Sequence, residues 1–501
     1  MSYPQVLSLD PNASTAIARR WWILATVALG QLMVILDATV VAIALPSAQK
    51  DIGFSNDDRQ WIITAYSLAF GSLLLFGGKL SDLIGRKQSF SIGLVGFATA
   101  SAFGGAANSF GELAAARAIQ GGFGALLAPT ALAILSTTFT IPAERRRAFG
   151  IWGGIAGAGG ALGLLLSGVL TQDLTWRWTF YVNIVFAVLA FIGAFAFIRR
   201  VRRSDPRPRI DVLGTGLISA GLFGIVYGFS HVNTDGWASV NTWAYLAGGG
   251  VLVVLFTLWQ ARSSSPLMPL SILKDRNRGA AFIVLLVAGA GILGFSFFLS
   301  YYLQLTLKLS PIQTGLSFLP MILCLVISAA VSTTRMVPRF GQKIVTPVAM
   351  LIVAGGSLYL TQLSGASTYA SGVLPGLIAV GLGMGALVAP SLQAATFGVS
   401  PQDAGVASAL VNTSQQVGGA IGTALLNTLA ATAATTYLAT HLPPSARIAG
   451  QASFASYATV FWWVALFFIG GAIIEAFLIR RKQSVSAETN TTTAKAIGLS
   501  A

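Results

Sequence analysis

Asp37 is a lone carboxylate in the middle of an apolar stretch, and Arg117 is the one cation that lies comparably deep in another. On insertion scales a charge at the centre of a bilayer helix costs about 2.5–3.5 kcal/mol, so each implies a function or a partner. Asp37 stands about 13 Å along its helix from Pro46, and Arg117 about 10 Å from Phe110, at ~1.5 Å per residue. The two helices are expected to run in opposite senses, which brings the charges to similar depth, where they can meet. Two chemistries fit. One is a static ion pair; the other is a proton-responsive pair in which Asp37 passes between charged and neutral forms while Arg117 tunes it. Gln120 and Gly121 share the Arg117 face, so Gln120 is expected in the same hydrogen-bonding network or on the wall of a substrate cavity.

Weaker candidates surround this pair. Ser408, Asn412, Gln415, Gln416, Gly419 and Thr423 recur at helical spacing, a stripe that lines a wet cavity or packs on another helix. Asn412 and Gln416 are its cavity candidates. Tyr66, Trp152, Tyr301 and Tyr302 fit an aromatic wall for flat apolar substrates, and fit ordinary core or interface packing equally well. Glu475 sits one turn from Arg480, where snorkelling accounts for it, and Glu112 reads as an interfacial carboxylate. Cys324 is the single cysteine, and His231 and His441 fall in expected loops, so neither a disulfide nor a metal site is expected. There is no G-x-x-x-x-G-K-[ST] phosphate loop and no catalytic triad. Enzyme chemistry and a bound cofactor are therefore not expected.

The elements that must hold these residues follow from composition. The chain has 501 residues, 54% of them hydrophobic and 9% charged, too apolar for a water-soluble protein of this length. Spans of roughly 17–25 apolar residues match the ~30 Å hydrocarbon core. Fourteen are expected: 21–46, 60–77, 89–107, 112–139, 148–170, 178–198, 212–228, 242–261, 279–307, 314–331, 344–363, 369–391, 405–433 and 457–479. An even number puts both termini on one side. Most of the 31 Lys and Arg fall in alternate loops, at Arg19 and Arg20, Lys79 to Lys87, Arg145 to Arg147, Arg199 to Arg209, Lys274 to Arg278 and Arg335 to Lys343. That asymmetry places both termini in the cytoplasm and explains the net charge of +15 without a nucleic-acid partner. The basic loops would meet anionic inner-leaflet lipid. The segment at 1–18 lacks the apolar core and cleavage site of a secretory signal.

The loop at 78–87 reads Gly78-Lys-Leu-Ser-Asp-Leu-Ile-Gly-Arg-Lys87 and is too polar to cross a bilayer. Asp82 precedes Arg86 by one helical turn, while Gly78 and Gly85 permit close approach of two helix ends. The chain also repeats itself. Gly124-Ala-Leu-Leu-Ala-Pro129 returns as Gly385-Ala-Leu-Val-Ala-Pro390, Gly159-Gly-Ala-Leu-Gly163 as Gly418-Gly-Ala-Ile-Gly422, and Gly85-Arg-Lys87 as Gly341-Gln-Lys343. Three matches in one order at a nearly constant offset argue for two homologous six-helix halves, with two spans left over between them. The expected units are a tail at 1–20, a bundle at 21–198, a basic linker with two extra helices at 199–265, a second bundle at 266–482 and a tail at 483–501.

The 78–87 loop closely resembles the signature loop between helices 2 and 3 of the major facilitator superfamily. The stretch from Leu36 through Asp37 to Pro46 is similar to the first-helix motif of its fourteen-helix drug/proton antiporters. Arg117-Ala-Ile-Gln120-Gly121 resembles that branch's fourth-helix motif, and Trp176-Arg177-Trp178 with Phe180 and Asn183 its loop between helices 5 and 6. Gly159, Gly163 and Gly168 fit the helix-5 antiporter motif G-x-x-x-G-P-x-x-G-G, although Leu164 replaces its proline and Ser167 a glycine. The resemblance covers about 19–482. It implies an all-helical membrane fold with alternating access between two bundles. Gly78, Asp82, Gly85, Arg86 and Lys87 would form a cytoplasmic latch, made when the transporter faces outward.

The absence of a nucleotide site implies secondary transport, coupled to an ion gradient or uncoupled, with a proton gradient the expected energy source. The expected function is export of lipophilic drugs or antibiotics in exchange for protons, with Asp37 and Arg117 coupling the two. Uptake or facilitated exchange of a small metabolite is the alternative. The resemblance further implies a monomer in a bacterial cytoplasmic membrane.

Overall fold

The computed structural model describes residues 11–54, 56–199, 211–263, 266–441 and 446–478, with some side chains inside those ranges excepted. Most of the expected basic linker and the ends of both expected tails lie outside the described residues. So do the side-chain surroundings of Leu164, Ser167 and Gly168. Long helices dominate, and no strand occurs among the described residues. This is what hydrocarbon demands of an open chain, since only a helix satisfies its own backbone polar groups there.

The first group comprises α1 (Pro11–Ile52), α2 (Asn56–Ile84), α3 (Arg86–Ala106), α4 (Phe110–Thr138), α5 (Pro142–Asp173) and α6 (Trp178–Phe197). A hairpin of α7 (Val212–Asp235) and α8 (Val240–Arg262) follows. The second group comprises α9 (Arg276–Tyr301), α10 (Leu319–Val331), α11 (Gln342–Leu360), α12 (Leu374–Thr396), α13 (Ala404–Thr440) and α14 (Ala446–Leu478). Thirteen helices among the described residues are long and apolar enough to cross a membrane. The expected fifth span, 148–170, lies within α5, an unbroken helix of 32 residues whose side chains are described only in part. His231, expected in a loop, belongs to α7.

The sequence repeat is also a packing repeat. Gly159 of α5 lies where a Cβ would meet Ile35 of α1 at 2.8 Å; its counterpart Gly418 of α13 lies directly on the backbone of Leu286 in α9. Gly124 of α4 faces Phe70 of α2, as Gly385 of α12 faces the carbonyl of Leu325 in α10. Gly85 and Gly341 precede α3 and α11 with φ of 96° and 79°, a region open to glycine and strained for other residues. Each half thus bends its chain and seats its helices at the same places.

The halves touch along two seams. On one, α2 crosses α13 at Gly78 and Gly405. On the other, Gly150, Gly153 and Gly154 of α5 lie against Thr333, Ala389 and Val326 of the second half. The α7–α8 hairpin rests on both α2 and α13. Its base is tied by Asp211, which accepts hydrogen bonds from Gly214 N–H, Trp259 Nε1 and Gln260 Nε2. Burial raises the Asp211 pKa, but these donors outweigh it and hold the carboxyl below its usual range.

Candidate functional site

Asp37 and Arg117 meet. Arg117 Nη1 donates to Asp37 Oδ2 at 2.5 Å, and both residues are at most 1% exposed. Two further donors complete the shell. Gln120 Nε2 and Asn183 Nδ2 reach Asp37 Oδ1 at 3.0 and 2.8 Å, so α1, α4 and α6 converge on one carboxylate. Gln120 also accepts from Arg117 at 3.0 Å and donates to Ser101 Oγ of α3 at 2.6 Å. The guanidinium lies over the Tyr66 ring, 4.3 Å from its centroid, with Nε 3.4 Å from the Ile62 carbonyl. Arg117 therefore has a second set of partners beside the carboxylate: an amide oxygen, a backbone carbonyl and an aromatic face. A buried pair built in this way can part without stranding the cation.

Close helix approach makes the cluster possible. Gly121 of α4 sits on the backbone of α2 at Tyr66, and any side chain there would push the helices apart. The Trp176–Trp178 turn fixes α6 at the far end of the bundle. Trp176 Nε1 and Arg177 both bond Asp51 Oδ2 in the last turn of α1, while Arg177 also bonds the Gly105 and Ala107 carbonyls at the end of α3.

The 78–87 segment, expected as a loop, is helical except at Gly85, because α2 runs on to Ile84 and α3 starts at Arg86; it joins the two halves. Asp82 accepts from Gly405 N–H at 3.0 and 3.2 Å, at the first turn of α13, whose free amides and helix dipole favour an anion. Arg86 bridges to the Pro401 carbonyl of the second half and to Thr137 Oγ1 of the first, with Asp82 at 3.4 Å. Lys87 donates to the Phe195 carbonyl and Lys79 to that of Pro266. Arg145 of α5 adds a bond across the other seam, to Thr396 Oγ1 of α12 at 2.8 Å. These bonds tie the two halves together at this end.

The cavity candidates separate. Tyr66 and Gln120 belong to the charge cluster and are buried: Arg117 covers the Tyr66 ring face, and the Gln120 amide bonds Arg117 and Asp37. Trp152 is buried on α5, and Tyr301 is exposed with its ring 4.6 Å from that of Phe297. Asn412 turns back to the Ser408 carbonyl, and Gln416 is half-buried. None of the six lines the apolar cleft of about 450 Å³ between the α7–α8 hairpin and α13. Much of the α13 stripe is packing surface, since Gly419 lies against Leu293 and the Gln415 backbone lies against Gly289 of α9. Glu112 Oε2 accepts from Asn108 N–H at 2.8 Å and its own N–H donates to Ser109 Oγ, which fixes it in the first turn of α4. Asn183, marked by the 176–183 motif, and Ser101, which had no signal, both enter the cluster; neither named its partner in the sequence, since one polar residue in an apolar helix does not.

The sequence profile described as Major Facilitator Superfamily matches residues 27–423. The chain belongs to that superfamily. It is 44% identical to the puromycin resistance protein pur8 of Streptomyces alboniger, over 86% of each chain. It is 33% identical to the tetracenomycin C resistance and export protein of Streptomyces glaucescens, over 84% of this chain and 77% of that one. It is 31% identical to the multidrug efflux pump LfrA of Mycolicibacterium smegmatis, over 84% and 82%. The human organic anion transporter MFSD10 shares the fold at a TM-score of 0.60 and 17% identity, over 91% of this chain and 99% of that one. The protein is therefore a multi-pass membrane transporter of this superfamily and not an enzyme, and its relatives are antibiotic and multidrug efflux or resistance proteins.

Proposed function

We propose that this transporter exports lipophilic antibiotics or drug-like compounds in exchange for protons. The observation that carries this reading is the enclosed carboxylate of Asp37, held by Arg117, Gln120 and Asn183 in an apolar bundle. A proton arriving there removes the partner of Arg117, and the cation falls back on Gln120 Oε1, Ile62 and Tyr66. The tie between α1 and α4 then weakens without leaving a bare charge in low dielectric. With the closed latch end facing the cytoplasm, the proton enters from outside after drug release, and the neutralised carrier returns. Facing inward, it loses the proton to the more alkaline cytoplasm, and the regained carboxylate admits the next drug. Proton and drug exclude one another at Asp37, which is sufficient for antiport. Both termini are cytoplasmic in this scheme, and the carrier works as a monomer.

The named activities of the relatives support export over uptake. In inverted vesicles energised by a proton gradient, uptake of a lipophilic antibiotic should appear and collapse with a protonophore. Accumulation that is indifferent to the protonophore would refute the coupling.

A further inference from the structure

Glu475 does not sit at an interface with its head in water. It is 1% exposed, in α14, and faces α11, where Thr346 Oγ1 lies 2.6 Å from its Oε1. Its Oε2 is buried with no hydrogen-bond partner among the described residues. Thr346 Oγ1 is also 2.8 Å from the Gln342 carbonyl one turn earlier. A threonine hydroxyl carries one proton and cannot donate to both oxygens. If the hydroxyl serves the carbonyl, Glu475 must itself be the donor, and a single chain then runs from Glu475 O–H to Thr346 O–H to the Gln342 carbonyl. Every proton in that chain has an acceptor, and the one unpartnered atom is a neutral carbonyl oxygen rather than half of a buried anion.

The charged groups at this end of the helices packed on α14 are committed elsewhere or exposed. Arg278, at the start of α9, bonds the Ile272 and Phe397 carbonyls. Asp403, before α13, accepts from Ser400 Oγ. Arg276 and Lys343 are exposed, and no ion pair joins Glu475 to any cation among the described residues. Arg480, Arg481 and Lys482 lie outside them.

We propose that Glu475 is a resident proton site, a neutral carboxylic acid that staples α14 to α11 by donating to Thr346, and whose loss of that proton sets the alkaline limit of the second bundle. Both helices belong to one half, so the staple is kept while the halves rock. The site is separate from Asp37 and stands whether or not Asp37 couples transport to protons.

Infrared difference spectra of wild type against Glu475→Gln, in lipid and titrated from neutral to alkaline pH, read the carboxyl directly. The expected result is a protonated-carboxyl stretch at neutral pH that is absent in the variant and lost on alkalinisation. The thermal midpoint of wild type should fall over the same pH range, while Glu475→Gln, still a donor to Thr346, stays flat and Glu475→Leu is low throughout. Arg480→Gln should leave the band in place. Carboxylate bands in wild type at neutral pH would overturn the proposal, as would a protonated band that appears only in Arg480→Gln. If no variant folds, the wild-type band and its pH dependence decide the question alone.

Discussion

Asp82→Asn isolates what the Asp82 contacts between the halves contribute. In the closed form the Asp82 carboxylate accepts from Gly405 N–H at 3.0 and 3.2 Å and stands 3.4 Å from Arg86. Neither Gly405 nor Pro401 can remain within reach once α2 and α13 separate, so these contacts stabilise one state only. A hydrogen bond to a charged group contributes about 1.5–3 kcal/mol, against about 0.5–1.5 for a neutral one. Asparagine keeps an acceptor for Gly405 and loses the charge, so the difference is about 1–2 kcal/mol, a shift of roughly 5–30-fold in the ratio of closed to open forms. Spin labels at Thr140 and Ser400, exposed on opposite halves at this end, would report it in a Cys324→Ser background. The expected outcome is a second, longer distance population in Asp82→Asn. Gly78→Ala should open the end as well, because the new Cβ meets the Gly405 carbonyl oxygen at 2.5 Å and the Ala409 Cβ at 2.7 Å. Identical distance distributions in wild type and Asp82→Asn would refute the reasoning.

Removing Arg117 as alanine strands the Asp37 carboxylate in the bundle, which should cost about 3–5 kcal/mol. The thermal midpoint in detergent should drop, and adding Asp37→Asn should restore most of it. Asp211, its carboxyl held below the usual range by Gly214, Trp259 and Gln260, contributes stability that is present above its unfolded pKa and lost as pH falls through the folded one. Asp211→Ala should therefore lower the midpoint at neutral pH and converge with wild type in acid, as read by thermal melts across pH. The expected tenth span, 314–331, has no carboxylate to match Asp37 in the first half. A divalent lipophilic cation should accordingly be carried more slowly than its monovalent analogue in transport assays.

Much of this was legible in the sequence wherever cost or repetition marked a residue. A lone Asp and a lone Arg in hydrocarbon advertise one another, and depth alone predicted their meeting. The glycine repeats mark close helix crossings, where a single methyl is felt: Gly159 lies against the Ile35 side chain and its counterpart Gly418 against the Leu286 backbone. Partners brought by non-local packing carried no such mark. Ser101 is an ordinary polar residue until α3 brings it onto Gln120, and the motif that marked Asn183 did not say that α6 would bring it onto Asp37. Tyr66 looked like a cavity wall because an aromatic pattern cannot tell a drug from a guanidinium. Glu475 was misread because its nearest basic residue in sequence drew attention from Thr346, which lies far away in the chain. The Asp82 and Arg86 contacts were legible on their own side of the seam but not in their receptors, Gly405 N–H and the Pro401 carbonyl.

Asp37→Asn tests the central claim most directly. It is close to isosteric, and its amide oxygen can still accept from Gln120 or Asn183, so the protein should fold, insert and bind neutral drug. In inverted vesicles under an imposed proton gradient, it should lose all accumulation of substrate against a concentration gradient while keeping downhill exchange. Concentrative, protonophore-sensitive uptake by Asp37→Asn at the wild-type level would contradict the account and place the exchanging proton on another group.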